Sequence, residues 1–247
     1  MAERCIELIG VAGHACVAVK PQFACFERLG WPGWRALEQV IAAARAEGLL
    51  VVADGKRGDV PVSAAVYGDA LFGSIDTPWG EVRGLGADAA TVNPLIGADA
   101  LEPLIAAAQA ARGGIFALVR TSNPGAADVF DLETATGPVN EHLARMVAAA
   151  SDRLAGACGL SGVGAVVGAT VPEHLARLRE LMPSSIFLVP GVGAQGGSAA
   201  DLGPAFGGHP ASVLVPASRS IAGAADPGAA AATLRDELWT VSQSAAR

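Results

Sequence analysis

The stretch Leu49–Lys56, LLVVADGK, decides the fold. Five apolar residues run without alternation into Asp54, Gly55 and Lys56. A strand with one wet face alternates apolar and polar residues. A continuous apolar run suits a strand buried on both faces of a parallel sheet. Six other stretches share the pattern: HACVAVKP (14–21), DAATVNP (88–94), GIFALVR (114–120), GAVVGAT (164–170), SIFLVPG (185–191) and SVLVPAS (212–218). Helix-period segments lie between them: WRALEQVIAAARAEG (34–48), ALEPLIAAAQAARGG (100–114), VNEHLARMVAAASDRLAG (139–156), PEHLARLRELM (172–182) and ATLRDELWTVSQSAAR (232–247). The first of these stops at Gly48, just before a strand, where glycine ends a helix well.

Strand and helix in alternation predict an α/β fold, either a closed barrel or a doubly wound sheet. Polar residues stand at the C-terminal end of strand after strand: Lys20, Asp54 and Lys56, Asn93, Arg120 to Ser122, and Arg219. A doubly wound sheet gathers its ligand contacts at one crevice, whereas a barrel draws them from nearly every strand. The pattern therefore predicts one (β/α)8 TIM-type barrel domain over residues 1–247. Only seven strands are found. The chain opens on a helix-like segment, AERCIELIGVAG (2–13), and passes directly to the strand ending at Lys20, so the barrel is expected to lack its first strand. The Gly/Pro-rich pieces FGSIDTPWGEVRGLG (72–86), TSNPGAADVF (121–130) and GVGAQGGSAADLGPAFGG (191–208) read as loops at the barrel ends.

Composition narrows the function. Hydrophobic residues make up 51% of the 247, enough for a sizeable core, and charged residues 17%. The net charge is −7 with no basic stripe, which argues against a nucleic-acid or anionic-membrane partner. Cys5, Cys16, Cys25 and Cys158 show no C-x-x-C spacing, so neither a zinc site nor a disulfide framework is expected, and a reducing, cytoplasmic setting is. Glu3, Glu7 and His14 break the N-terminal apolar run, unlike a signal peptide. Residues 154–172 carry no charge, but their glycines and terminal Pro172 suit a loop feeding a buried strand better than a membrane span.

Asp54 and Lys56 are two apart and can point the same way from one strand end. Asp59 falls just beyond, and Lys20 ends the preceding, adjacent strand. Together they form a line of alternating charge. Neighbouring unit charges at about 4 Å attract by about 4 kcal/mol at an effective dielectric of 20. Three uses are open: an ion-pair network tying strand ends, a fixed field beside a developing negative charge, or a divalent metal held by Asp54 and Asp59. Further on, VPGVGAQGG (189–197) closes a strand in glycines, and Arg219 follows the next strand. Glycine N–H groups and a guanidinium suit a phosphate, and the last two loops of a barrel are its usual place.

These motifs in this order, VKPQFACFE, ADGKRGDV, TSNPGA, VVGAT, PGVGAQGG and SRSI, resemble those of the orotidine 5'-phosphate decarboxylase family, in its longer bacterial form. The similarity runs from about Val17 to Ile221. D-x-K-x-x-D alone is shared with sibling sugar-phosphate decarboxylases and aldolases. The resemblance implies a dimeric enzyme that converts orotidine 5'-phosphate to UMP in pyrimidine synthesis without metal, flavin or other cofactor. It implies a catalytic tetrad of Lys20, Asp54, Lys56 and Asp59. Lys56 would protonate pyrimidine C6 and Asp54 would face the substrate carboxylate. Asp59 and Ser63 would act in the neighbouring subunit's site. Ser122 would bind the pyrimidine, and Gln195 and Arg219 the phosphate.

Two departures accompany the resemblance. The family's first strand carries an Asp in a motif like G-I-D-P, and none precedes Lys20. A start recorded too far downstream, a fragment, and a protein working without that strand are all compatible with this. Gly55 stands where a bulkier residue is common and is expected to loosen the backbone. Two rivals remain in view: a Mg2+-dependent sibling acting on a sugar phosphate, and an inactive barrel that only binds nucleotide phosphate. Arg57 reads as a surface or interface ion-pair residue, the scattered His14, His142, His174 and His209 as helix or loop residues, and Trp31, Trp34 and Trp79 as packing or dimer contacts. Asn93 and Asn123 line the site or simply form turns.

Overall fold

A computed structural model describes residues 1–193 and 195–245. Seven parallel strands form one curled sheet in the order β1 (Ala18–Val19), β2 (Leu50–Arg57), β5 (Ala89–Val92), β6 (Gly114–Arg120), β9 (Ser161–Val167), β10 (Ser185–Leu188) and β11 (Val213–Leu214). All seven expected strands are present. Two antiparallel hairpins lie outside the sheet: β3 (Ser74–Thr77) with β4 (Gly80–Arg83), and β7 (Glu133–Thr134) with β8 (Gly137–Pro138). The first replaces part of the loop expected over 72–86. Its register pairs Ile75 with Val82, and the tip holds Trp79, 92% exposed. β1 and β11 are the two edges of the sheet, and no strand among the described residues joins them. The architecture is thus a half-barrel of the (β/α)8 type.

Eleven helices among the described residues cover the outside: α1 (Ala2–Ala12), α2 (Phe23–Glu27), α3 (Trp31–Ala46), α4 (Pro61–Phe72), α5 (Ala98–Ala110), α6 (Ala127–Phe130), α7 (Val139–Ala149), α8 (Pro172–Leu181), α9 (Gly203–Phe206), α10 (Arg219–Ala222) and α11 (Pro227–Ala245). α3 ends where expected, with Gly48 in the left-handed region at φ +73°. None is long and apolar enough to cross a membrane.

The unbroken apolar strands have the two buried faces their sequence predicts. Val51, Ala53, Ile115, Ala117, Val119, Val163, Ala165 and Val167 join the core between sheet and helices. Val52, Phe116, Leu118, Val166 and Leu188, one register step away, form a second cluster inside the curl. The two-residue period carries that inner face along β2 from Val52 to Asp54. The strands are therefore apolar up to their C-terminal ends and chemical there.

One buried charge has a structural task. The Arg179 guanidinium lies 3.7 Å from the Phe187 ring centroid. It donates to the carbonyls of Ala205 (2.8 Å), Met182 (2.9 Å) and Ser185 (2.7 Å), so it binds α8, α9 and the start of β10 together. Burial pulls its pKa down to about 10.

Candidate active site

The charged line foreseen at the strand ends is assembled for three of its four members. Lys20 follows β1 and donates to Asp54 Oδ2, while Lys56 Nζ donates to Asp54 Oδ1 at 2.6 Å. Thr91 completes the group: its hydroxyl donates to Asp54 Oδ1 at 2.9 Å and accepts the backbone N–H of Lys56 at 3.0 Å. Asp54 is 6% exposed and Thr91 1%. Burial alone would raise the Asp54 carboxyl pKa. The charge and hydrogen bond of Lys20, with those of Lys56, more than offset this and hold it below the ordinary value of 3.8. Sequence reading missed Thr91. Its signal was a lone hydroxyl in the apolar run DAATVNP, one place before the end of β5.

The backbone is bent to make this cluster. Ala53 pairs with Ala90 and Arg57 with Val92, so three residues of β2, Asp54 to Lys56, sit opposite Thr91 alone. This bulge re-aims side chains at a strand end, a recurrent device at active sites. At its apex Lys56 adopts φ +48°. For a non-glycine residue that costs about 1–3 kcal/mol, and surrounding contacts must hold it. Gly55 has a packing role in this turn. A Cβ there would lie 2.7 Å from the Phe23 ring, so glycine is what allows Phe23 to pack on the bulge. Phe23 in turn meets Trp34 edge-on, centroids 5.6 Å apart, which accounts for that tryptophan.

Asp59 stands apart from the cluster. Its carboxylate accepts the N–H of Val60 at 2.7 Å, at the entry to α4. Ser63 lies in the first turn of α4, half-buried. Around them Val60, Val62, Val66, Leu95 and Ile96 are exposed, Val62 by 81%. Asn93 fills its turn role: its side chain accepts the N–H of Leu95. No group of three or more His, Cys, Asp or Glu side chains among the described residues could hold a metal ion.

A second cluster forms across the sheet. Ser122, after β6, donates to Gln195 Oε1 at 2.6 Å. Gly191 (φ +113°) turns the chain beneath them, where a Cβ would press on Ser122 and Thr170. Gly193 and Gly196 also have positive φ, and the loop closes on itself through Gly193 N–H to Gly197 O at 2.9 Å. Gly193 faces Ser220 in α10, so the loop and the segment opening with Arg219 are neighbours, with the Arg219 side chain exposed. A cleft of about 410 Å3 lies there, lined by Val192, Gly193, Gly197, Ser220 and Ile221 among others.

Behind Ser122, Arg120 turns inward. It grips Asp131 with two hydrogen bonds, 3.0 Å from Nε and 2.9 Å from Nη2, and Asn140 adds a third at 3.0 Å. Chiefly through the hydrogen bond from Arg120, the Asp131 carboxyl stays below its ordinary value. This brace anchors the segment after Ser122 onto α7. His174 is its neighbour, 3.9 Å from Asp131.

Comparison with known proteins adds to this geometry. A family model described as "Orotidine 5'-phosphate decarboxylase / HUMPS family" matches residues 1–234. The chain is 43% identical to the orotidine 5'-phosphate decarboxylase of Rhodopirellula baltica over 220 residues, 88% of this chain and 71% of that protein. It is 43% identical to that of Deinococcus radiodurans over 239 residues, 94% of this chain and 83% of that protein. Among solved structures, Leishmania donovani OMP decarboxylase superposes with a TM-score of 0.79 at 34% identity, covering 98% of this chain and 88% of the other. The Methanocaldococcus jannaschii enzyme, complexed with the inhibitor BMP, shares the fold at a TM-score of 0.73 and 19% identity, covering 96% and 94%.

Proposed function

Since the chain belongs to the orotidine 5'-phosphate decarboxylase / HUMPS family, we infer that it converts orotidine 5'-phosphate to UMP in pyrimidine biosynthesis. The relatives at 43% identity are named decarboxylases of this substrate, which favours it over the sugar-phosphate siblings.

The observation that carries the mechanism is the ammonium of Lys56 fixed on Asp54 at the C-terminal end of β2. Loss of CO2 from pyrimidine C6 leaves an electron pair on a carbon that the ring cannot delocalise. A preorganised cation beside that carbon stabilises the charge as it forms. In this reading the C6–carboxylate bond breaks, CO2 departs, and a proton passes from Lys56 Nζ to C6. Lys56 then recovers a proton from water. Asp54 holds Lys56 in place and faces the leaving carboxylate, and Lys20 holds Asp54 ionised. Ser122 binds the pyrimidine. Gln195 and Arg219 bind the phosphate, whose contacts remote from C6 lend binding energy to the transition state. No metal or cofactor takes part.

The working unit is a homodimer acting in the cytoplasm, with Asp59 and Ser63 completing the site of the second subunit. Among the described residues Asp59 forms no ion pair, its carboxylate accepting only the Val60 N–H, and the exposed Val60 and Val62 stand next to it in the chain, as an interface requires. The four unpaired cysteines suit a reducing compartment.

The test is an absorbance assay of the purified chain with orotidine 5'-phosphate, with and without EDTA. Conversion to UMP that is indifferent to EDTA supports the reading. Conversion abolished by EDTA and restored by Mg2+ contradicts the cofactor-free mechanism.

A further inference from the structure

Arg57 follows Lys56 and was expected to be a surface or interface ion-pair residue. The structure bears out the ion pair, formed with Glu27 by a side chain 27% exposed, and adds further contacts. Its guanidinium folds back over the bulge: Nη1 donates to the carbonyl of Gly55 at 3.0 Å, and Nη2 pairs with Glu27 of α2. The guanidinium carbon lies 5.5 Å from the Phe23 ring centroid and 5.8 Å from that of Tyr67. The group thus lies over two aromatic rings, Phe23 of α2 and Tyr67 of α4. The backbone of Arg57 is held as well, its carbonyl accepting the N–H of Asn93 at 2.8 Å.

We propose that Arg57, clamped by Glu27, is the positioning residue that holds Lys56 in its left-handed conformation and so aims the catalytic ammonium. The proposal rests on the functional reading given above and goes beyond it to a residue that reading leaves idle. Lys56 at φ +48° is strained on its own, so something must over-determine the turn. Thr91 fixes it from the inner side, through the Lys56 N–H. Arg57 fixes it from the outer side, through the carbonyl of the residue before Lys56. Glu27 belongs to the segment that continues from Lys20 through Pro21 and Gln22, and Gln22 bridges to Asp54. The clamp therefore joins the two chain segments that deliver the two lysines. A bidentate, planar cation suits such a task; a lysine cannot reach a carbonyl and a carboxylate with two separate donors while stacking on rings.

Steady-state kinetics with orotidine 5'-phosphate on Arg57→Met, Arg57→Lys and Glu27→Gln, with UMP affinity and thermal midpoint for each, tests the assignment. Misplacing a reacting group by about 1 Å costs up to about 100-fold in rate. The expectation for Arg57→Met is a kcat about 10- to 100-fold lower, with KM and UMP affinity within about threefold of wild type. Glu27→Gln moves kcat the same way by less, Arg57→Lys recovers only part, and the double variant is no worse than Arg57→Met because both act through one contact. A wild-type kcat in Arg57→Met overturns the proposal even if its thermal midpoint falls. Should Arg57→Met not fold, unchanged kcat in Glu27→Gln overturns it equally. If the wild-type chain makes no UMP, the functional reading fails separately. A crystal structure of Glu27→Gln then decides the clamp: Lys56 leaving the left-handed region or losing Asp54 supports it, and an unmoved Lys56 overturns it.

Discussion

Thr91 Oγ1 stands 2.9 Å from Asp54 Oδ1, and the same hydroxyl receives the backbone N–H of Lys56. One buried oxygen thus fixes both the carboxylate that holds the lysine and the strained turn that presents it. Thr91→Val keeps the shape and removes both bonds. It leaves the part-buried Lys56 N–H and the buried Asp54 carboxylate each without that partner, at a cost of about 1–3 kcal/mol in stability. The expected kinetic result is a kcat lower by about tenfold or more with KM little changed, since a loosened ammonium is felt at the transition state first. Denaturant unfolding and initial-rate kinetics on the one variant check both halves.

Asp59 makes its only side-chain hydrogen bond among the described residues to the neighbouring Val60 N–H, which leads to a complementation test. Lys56→Ala and Asp59→Asn are each expected to be nearly inactive. In a two-fold dimer with Asp59 supplied in trans, a mixed dimer carries one wholly wild-type site. Equilibrated equal amounts should regain about a quarter of wild-type activity, because half the dimers are mixed and each has one good site of two. If mixing restores nothing while mixed dimers are shown to form, Asp59 does not act across the interface.

Much of this was legible in the sequence. The seven apolar runs predict the seven strands because a parallel sheet buries both faces, and the two-residue period places Asp54 and Lys56 together. The bulge was not legible. It depends on how β2 pairs with β5, a non-local relation, and it lets the expected ion-pair residue Arg57 also fold back onto the Gly55 carbonyl. Thr91 was missed for the same reason, its partner Asp54 coming from another stretch of chain; Arg120, read with the strand-end residues, turns instead to Asp131, which only the fold reveals. The hairpin over 74–83 was hidden by its glycines and proline, which read as loop. Arg179 lies in the helix-period segment 172–182 with nothing local to set it apart, and only the fold brings the carbonyls of Met182, Ser185 and Ala205 to it.

Acid should weaken the fold in a defined window. Asp54 and Asp131 both titrate below their ordinary value of 3.8 when folded. As pH falls, the unfolded chain takes up these protons first. The stabilisation is therefore fully present above about pH 5 and is lost as pH drops through about 4 and into the lower folded values. Burial lowers the His174 pKa, so thermal midpoints should begin to fall gently below about pH 6.5 and fall more steeply below about pH 5, where Asp131→Asn should fall less steeply than wild type. An equal slope in the variant would mean that the Arg120–Asp131 brace contributes nothing to acid stability.

The central claim is that the ammonium of Lys56 stabilises and protonates the C6 carbanion. The most direct measurement is the kcat of Lys56→Ala on orotidine 5'-phosphate, with UMP binding measured on the same preparation. One electrostatic stabiliser of this kind is worth about 2.7–4 kcal/mol, or about 100- to 1000-fold, and loss of the proton donor adds to it. The expected result is a fall of at least that size with UMP still bound. A variant that keeps turnover within about tenfold of wild type would contradict it.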